Sequence, residues 1–190
     1  MSQALFHRVA THYKERMSRL FQKGQYVNYG KHGVCLVEDI THMDIPGVDK
    51  NKLYYVLSKV YTKGNKIYTA VDNEKVKMRE ILSKHEAQQL ILEIPNIEKL
   101  EVANDKSRNE KYKNAMTTCD CREWIKVIKS LYSRKQECIA NGKKVAVSDE
   151  RFFREAEDQL YGELALSLGI GKEDVEQFIC TKVEEIQKEH

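Results

Sequence analysis

Cys119-Asp120-Cys121 places two thiols and a carboxylate within three residues, groups that bind zinc when their spacing is right. A zinc knuckle needs two residues between its cysteines and a second cysteine or histidine pair, and neither is present nearby. The plainer reading is a helix entrance with Asp120 as its cap. The five cysteines (Cys35, Cys119, Cys121, Cys138, Cys180) are odd in number and irregular in spacing, a poor disulfide framework. His7, His12, His32, His42, His85 and His190 are scattered, and none pairs with a carboxylate at a spacing suited to proton transfer. The glycine pairs Gly30/Gly33 and Gly169/Gly171 lack the fingerprints of nucleotide-binding loops. No catalytic constellation stands out. The chain is therefore read as a non-enzyme that needs no cofactor, metal or small-molecule substrate.

The chemistry that does stand out is cationic. Formal net charge is only +3, but residues 103–144 carry eleven basic and five acidic side chains, whereas residues 145–190 carry five and twelve. Arg108, Lys111, Lys113, Arg122, Lys126, Lys129 and Arg134 are the candidate nucleic-acid contacts, with Lys106 and Lys135 in the same stretch. In a helix from Arg122 to Ala140, the residues Arg122, Lys126 and Lys129 share one side. The apolar stripe of Trp124, Val127, Ile128 and Leu131 occupies another. A cationic side of this kind holds phosphates without reading bases; the bland alternative is a solvated helix face. Trp124 lies in the stripe and is assigned to the core.

A second nucleic-acid reading comes from Ala165, Gly169 and Val175, which have helix-turn-helix spacing. The helix that would enter the groove, Lys172 to Cys180, carries Glu173, Asp174 and Glu176 against one lysine. Duplex DNA, with a charge every ~1.7 Å, would repel it. Two packed helices is the simpler description.

Two kinds of element must position these groups, and the pattern changes near residue 82. Gln25–Tyr29, Val34–Val37, Leu53–Tyr61 and Ile67–Val71 are strand-like, with Lys63-Gly64-Asn65 turning the last two into a hairpin. Four or five short strands in some sixty residues predict a small, strongly bent sheet or barrel. Tyr54, Tyr55, Tyr61 and Tyr68 make it rich in aromatics, and a small sheet has an edge to offer a partner strand. After Ser83 the period is helical. Ser83 with Glu86 forms a capping box for a helix that Pro95 breaks. A short basic helix near 109–117 follows, then the long one to Ala140. Ser148 or Asp149 would cap a third helix, ended by Gly169 and Gly171, and Val175, Phe178, Ile179, Val183 and Ile186 stripe the last. The fold class is α+β, with separate cores for 21–82 and 83–190 and an extension at 1–20.

Class-level arithmetic narrows the rest. At 190 residues, 41% hydrophobic and 32% charged, the chain has the makings of a globular core without staples and is too apolar to be disordered. No apolar run reaches the ~18 residues of a membrane span, and the first twenty residues lack a signal-peptide core, so the expected compartment is the cytoplasm.

The run Phe21-Gln22-Lys23-Gly24-Gln25-Tyr26-Val27-Asn28-Tyr29-Gly30-Lys31-His32-Gly33-Val34 resembles the opening of the bacterial CarD/CdnL family of RNA polymerase-binding transcription regulators. The polymerase-interacting domain of the transcription-repair coupling factor shares that opening. The similarity continues through Tyr54-Tyr55-Val56-Leu57, Lys111-Tyr112-Lys113, Val127–Tyr132 and Gly162-Glu163-Leu164-Ala165-Leu166. It implies a Tudor/SH3-like β-barrel domain that docks on the polymerase β subunit, here through Met43, Tyr55, Lys66, Tyr68 and Thr69. It also implies an all-α domain that contacts promoter DNA at the upstream edge of the bubble and changes open-complex stability. Lys111 and Lys113 match basic residues of the DNA-contacting segment. Arg108 stands where some members carry a wedging tryptophan, and Met43 and Thr69 stand where some carry arginines; Gly30 replaces the usual proline. The alternatives are an adaptor that docks on polymerase without touching DNA and the helix-turn-helix repressor.

Overall fold

The computed structural model describes residues 20–64, 66–102 and 105–188, with the side chains of Asp105 and Lys106 left aside. The extension 1–19, Asn65 of the expected turn, and His7, His12 and His190 lie outside them.

Among the described residues, five antiparallel strands come first: β1 (Tyr26–Tyr29), β2 (Val34–His42), β3 (Leu53–Lys59), β4 (Ile67–Ala70) and β5 (Met78–Glu80). Their order, β4-β3-β2-β1-β5, leaves β4 and β5 as the two edges. Strand-formers alternate so that Val27, Tyr29, Cys35, Val37, Tyr55 and Leu57 meet in one buried cluster. Along β2 the register slips between Val37, opposite Leu57, and Asp39, opposite Val56. The extra residue, Glu38, bends this longest strand. Gly30 turns the chain out of β1 at φ +48°, and a Cβ there would fall 2.5 Å from Val76 Cγ1, so any other residue would be strained and would have to displace Val76. The four expected strands are all present. The fifth, β5, lacks a β-prone sequence and exists because it pairs with β1.

Among the described residues, five α-helices follow: α1 (Lys84–Glu93), α2 (Asp105–Thr117), α3 (Cys121–Ala140), α4 (Val147–Leu168) and α5 (Val175–Lys188). The Ser83 capping box forms as expected, with Ser83 N donating to Glu86 at 2.8 Å and Glu86 N donating to Ser83 Oγ at 3.2 Å. Asp120 caps α3 by accepting the Arg122 amide at 2.8 Å. The stripes of α1, α3 and α4 converge on a second buried cluster that includes Leu90, Tyr112, Trp124, Leu131, Leu160 and Leu164. Trp124 is fully buried there. A left-handed Gly169 (φ +72°) ends α4, and a 3-10 turn leads into α5.

The expected cap at Ser148 or Asp149 is not used. Helix α4 starts at Val147 with Ala146 in the capping position and no side-chain cap. Asp149 turns inward instead, with one carboxylate oxygen 3.3 Å from Arg108 Nε and the other 3.0 Å from Arg134 Nε. Two guanidinium groups outcompete backbone amides for a buried carboxylate. The cluster ties α2, α3 and α4 together.

Removing the charge from Asp149 strands two cations. Asp149→Asn is expected to cost about 2–3 kcal/mol, somewhat below a fully enclosed pair because Arg134 keeps some solvent; denaturant unfolding measures it, and a loss under half a kilocalorie would contradict this account. Glu157 on α4 has the opposite problem. Burial, then the charge of Glu176 on α5, raises its carboxyl above the ordinary range. A raised folded-state value means that stability from this group is present at low pH and lost as pH rises through that value. Glu157→Gln is therefore expected to raise the melting temperature by a few degrees at pH 7, with the gain vanishing below about pH 4. A gain unchanged by pH would show that charge is not its cause.

Candidate functional site

Two surfaces compete for a functional role, and each is set by the elements beneath it. On the sheet, β4 is an edge strand of four residues that, among the described residues, pairs only with β3. Tyr68 stands 51% exposed on it. Lys66, just before the strand, is exposed and forms an ion pair with Glu38 at 2.6 Å. The other three docking candidates point inward. Thr69 Oγ1 accepts hydrogen bonds from Tyr29 Oη and Asn73 Nδ2, both at 2.9 Å. Tyr55 is buried with its hydroxyl accepting the Phe21 amide at 3.1 Å, and Met43 is buried too. The alternation of a strand explains the split: Tyr68 and Thr69 are neighbours in sequence and face opposite sides.

The helical half sorts the basic candidates more sharply. Lys111 and Lys113 on α2 flank the buried Tyr112 and are exposed, with Lys111 Nζ donating to the Glu101 carbonyl at 2.8 Å. Arg122 forks onto Glu93 Oε2 at 3.0 and 2.5 Å, and Lys126 pairs with Glu123 at 2.7 Å. These are solvent-facing ion pairs, worth little and easily exchanged for a phosphate. Lys129 is different. Its ammonium donates to the carbonyls of Ile94 at 2.5 Å and Ile97 at 2.6 Å, closing the turn where Pro95 ends α1. Burial pushes its pKa down. Arg108 and Arg134 belong to the Asp149 cluster. The i, i+4, i+7 arrangement of Arg122, Lys126 and Lys129 exists, but each of the three is engaged with groups of the protein itself.

Cations outside the candidate set occupy solvent instead. Lys143 and Lys144, in the turn between α3 and α4, are exposed beside Val147, which is 82% exposed. The charge distribution marks them, since they lie within the basic stretch; the Asn141-Gly142 stop just before them draws attention away from what the turn presents.

The Cys119-Asp120-Cys121 triplet carries no reactive thiol. Both cysteines are buried, and burial first, then the Glu163 charge, raises the Cys121 thiol well above its usual value. A protonated, enclosed thiol is a poor nucleophile and ligand. Among the described residues no cluster of three histidine, cysteine or acidic side chains is placed to hold a metal ion, and no helix is long and apolar enough to cross a membrane.

The comparisons with known proteins align with this arrangement. Residues 21–82 match the family model for the CarD-like/TRCF RID domain, and residues 90–180 match that for the CarD C-terminal domain. No curated protein matches the chain. The first match spans all five strands and the second covers most of the helical half, in the order that the sequence resemblance implies. Carrying both domains in succession, the chain belongs to the CarD family, whose domains mark polymerase-interacting transcription regulators.

Proposed function

We propose that the chain binds the RNA polymerase β subunit through the β4 side of its sheet and rests on promoter DNA through its helical half. There it contacts phosphates near the upstream edge of the bubble and changes open-complex stability. The observation that carries this reading is the open edge of β4 with Tyr68 beside it, because an unpaired strand edge offers backbone hydrogen bonds and an aromatic supplies an anchor. On the DNA side the reading is supported by Lys111, Lys113, Lys143 and Lys144, which combine exposure with positive charge. Arg122 and Lys126 add contacts if their exposed partners yield. Arg108 and Lys129, held inside the protein, act as supports for this surface.

A second reading, docking on polymerase without DNA contact, draws on a specific fact: six of the seven basic candidates (Arg108, Lys111, Arg122, Lys126, Lys129, Arg134) are already paired or hydrogen-bonded by the protein. The helix-turn-helix reading has no comparable support, since Glu173, Asp174 and Glu176 crowd the start of α5.

Salt separates the readings. Each phosphate contact adds about 0.9 to the slope of log K against log salt, so Lys111→Ala with Lys113→Ala is expected to lower that slope by about 2, while Lys129→Ala leaves it unchanged. A wild-type chain that leaves promoter DNA untouched at low salt would establish the adaptor reading. On the sheet, Tyr68→Ala should weaken binding to the isolated polymerase β lobe about tenfold, or about 1.4 kcal/mol, with circular dichroism unchanged. Undiminished affinity would move the docking surface elsewhere.

A further inference from the structure

Glu163 lies on α4, in the helical half, yet most of its contacts come from the N-terminal part of the chain. Its side chain is fully buried. Oε1 accepts from Arg79 Nη1 at 2.5 Å and from the Leu82 amide at 2.8 Å. Oε2 accepts from Arg79 Nη2 at 2.8 Å, Asn28 Nδ2 at 3.0 Å and the Cys121 thiol at 3.3 Å. One carboxylate thus collects β5, β1, the connection into α1 and the first residue of α3. The guanidinium of Arg79 completes the joint by donating Nε to the Cys119 carbonyl. Cys119 is the one non-glycine residue among those described with a positive φ, +54°, and that conformation turns its carbonyl toward Arg79.

The preceding residue on α4 shapes the rest of the seam. Gly162 leaves its helix face bare, and the ring of Tyr61 lies so close that a Cβ at 162 would be 3.1 Å from it. Tyr61 Oη donates to the Gly162 carbonyl at 2.9 Å, and the Lys172 ammonium sits 4.7 Å from the ring centroid. Ser167 Oγ donates to the Leu82 carbonyl at 2.6 Å. The two apolar clusters on either side share no residue. What joins the halves is therefore largely polar and directional. Apolar surfaces slide over one another at little cost, whereas a carboxylate with five donors has one geometry that satisfies all of them.

We infer that Glu163 is the positioning residue of the molecule: through Arg79 and Asn28 it fixes the angle between the sheet and the helical half, and so the span between the polymerase-facing strand edge and the DNA-facing lysines. This rests on the function proposed above. Two binding surfaces on a rigid body of the right span reinforce each other, because engagement of one raises the effective concentration of the other, and a loosened joint loses that gain without weakening either surface.

The test uses the full chain with Glu163→Gln, which keeps the shape and removes the charge, and Arg79→Lys, which keeps the charge and removes the fork. Residual dipolar couplings of sheet and helix amides are expected to fit one alignment tensor in the wild type and to require two in the variants. Affinities for the isolated β lobe and for DNA alone should stay within twofold, while the effect on open-complex lifetime with whole polymerase falls at least tenfold. A single tensor in both variants overturns the inference, as does a loosened joint with an undiminished promoter effect. Unfolding of both variants overturns it too, since a positioning contact leaves two self-sufficient cores standing. A wild-type chain without affinity for the β lobe sinks the functional reading alone, and the couplings then decide the positional claim.

Discussion

A carboxylate with no solvent at all is tolerable only when every lone pair finds a donor, and Glu163 meets that condition with groups drawn from four places between residues 28 and 121. The requirement propagates outward. Residues 78–80 must run as a strand for Arg79 to arrive with its fork aligned, and the loop before α3 must adopt a left-handed residue so that a carbonyl meets the remaining nitrogen. The helix bearing Glu163 must also come close enough for a bare glycine to lie under a tyrosine ring. Satisfying one buried charge thereby constrains three separate points of the sequence.

The same principle of internal satisfaction reorganises the basic stretch. A string of cations along a helix looks like a single electropositive face, yet three kinds of neighbour dissolve it. Exposed acids on nearby turns take Arg122 and Lys126, a helix end short of donors takes Lys129, and an enclosed aspartate takes Arg108 and Arg134. The positive potential of the helical half is left to the exposed Lys111, Lys113, Lys143 and Lys144, of which Lys111 also donates to the Glu101 carbonyl. That displacement of charge, from the middle of α3 toward α2 and the turn after α3, is a product of tertiary structure.

Legibility in the sequence followed the range of the interactions. Local rules held where partners were local: the Ser83–Glu86 box, the Asp120 cap, the stripe around Trp124 and the hairpin of β3 and β4 all formed as their residues indicated. They failed where a distant partner offered more. Asp149 obeys the rule for a helix start until two arginines, 41 and 15 residues away in sequence, claim it. Met78-Arg79-Glu80 has no strand pattern because its partners are distant, β1 on one side and, for Arg79, a carboxylate 84 residues later. On the β4 side, the reading grouped Tyr68 with Thr69, Met43 and Tyr55 as docking residues, although strand alternation puts Tyr68 and Thr69 on opposite faces and the last three are enclosed.

The close approach of Tyr61 to Gly162 carries a consequence for how such chains diverge. A methyl group at 162 would press on the ring, and a smaller side chain at 61 would open a gap over a bare helix face. Neither position can drift alone without shifting the joint beside it. Homologous chains that keep this seam should therefore exchange residues at the two positions in concert, so that a record of the hinge is written into paired substitutions a hundred and one residues apart.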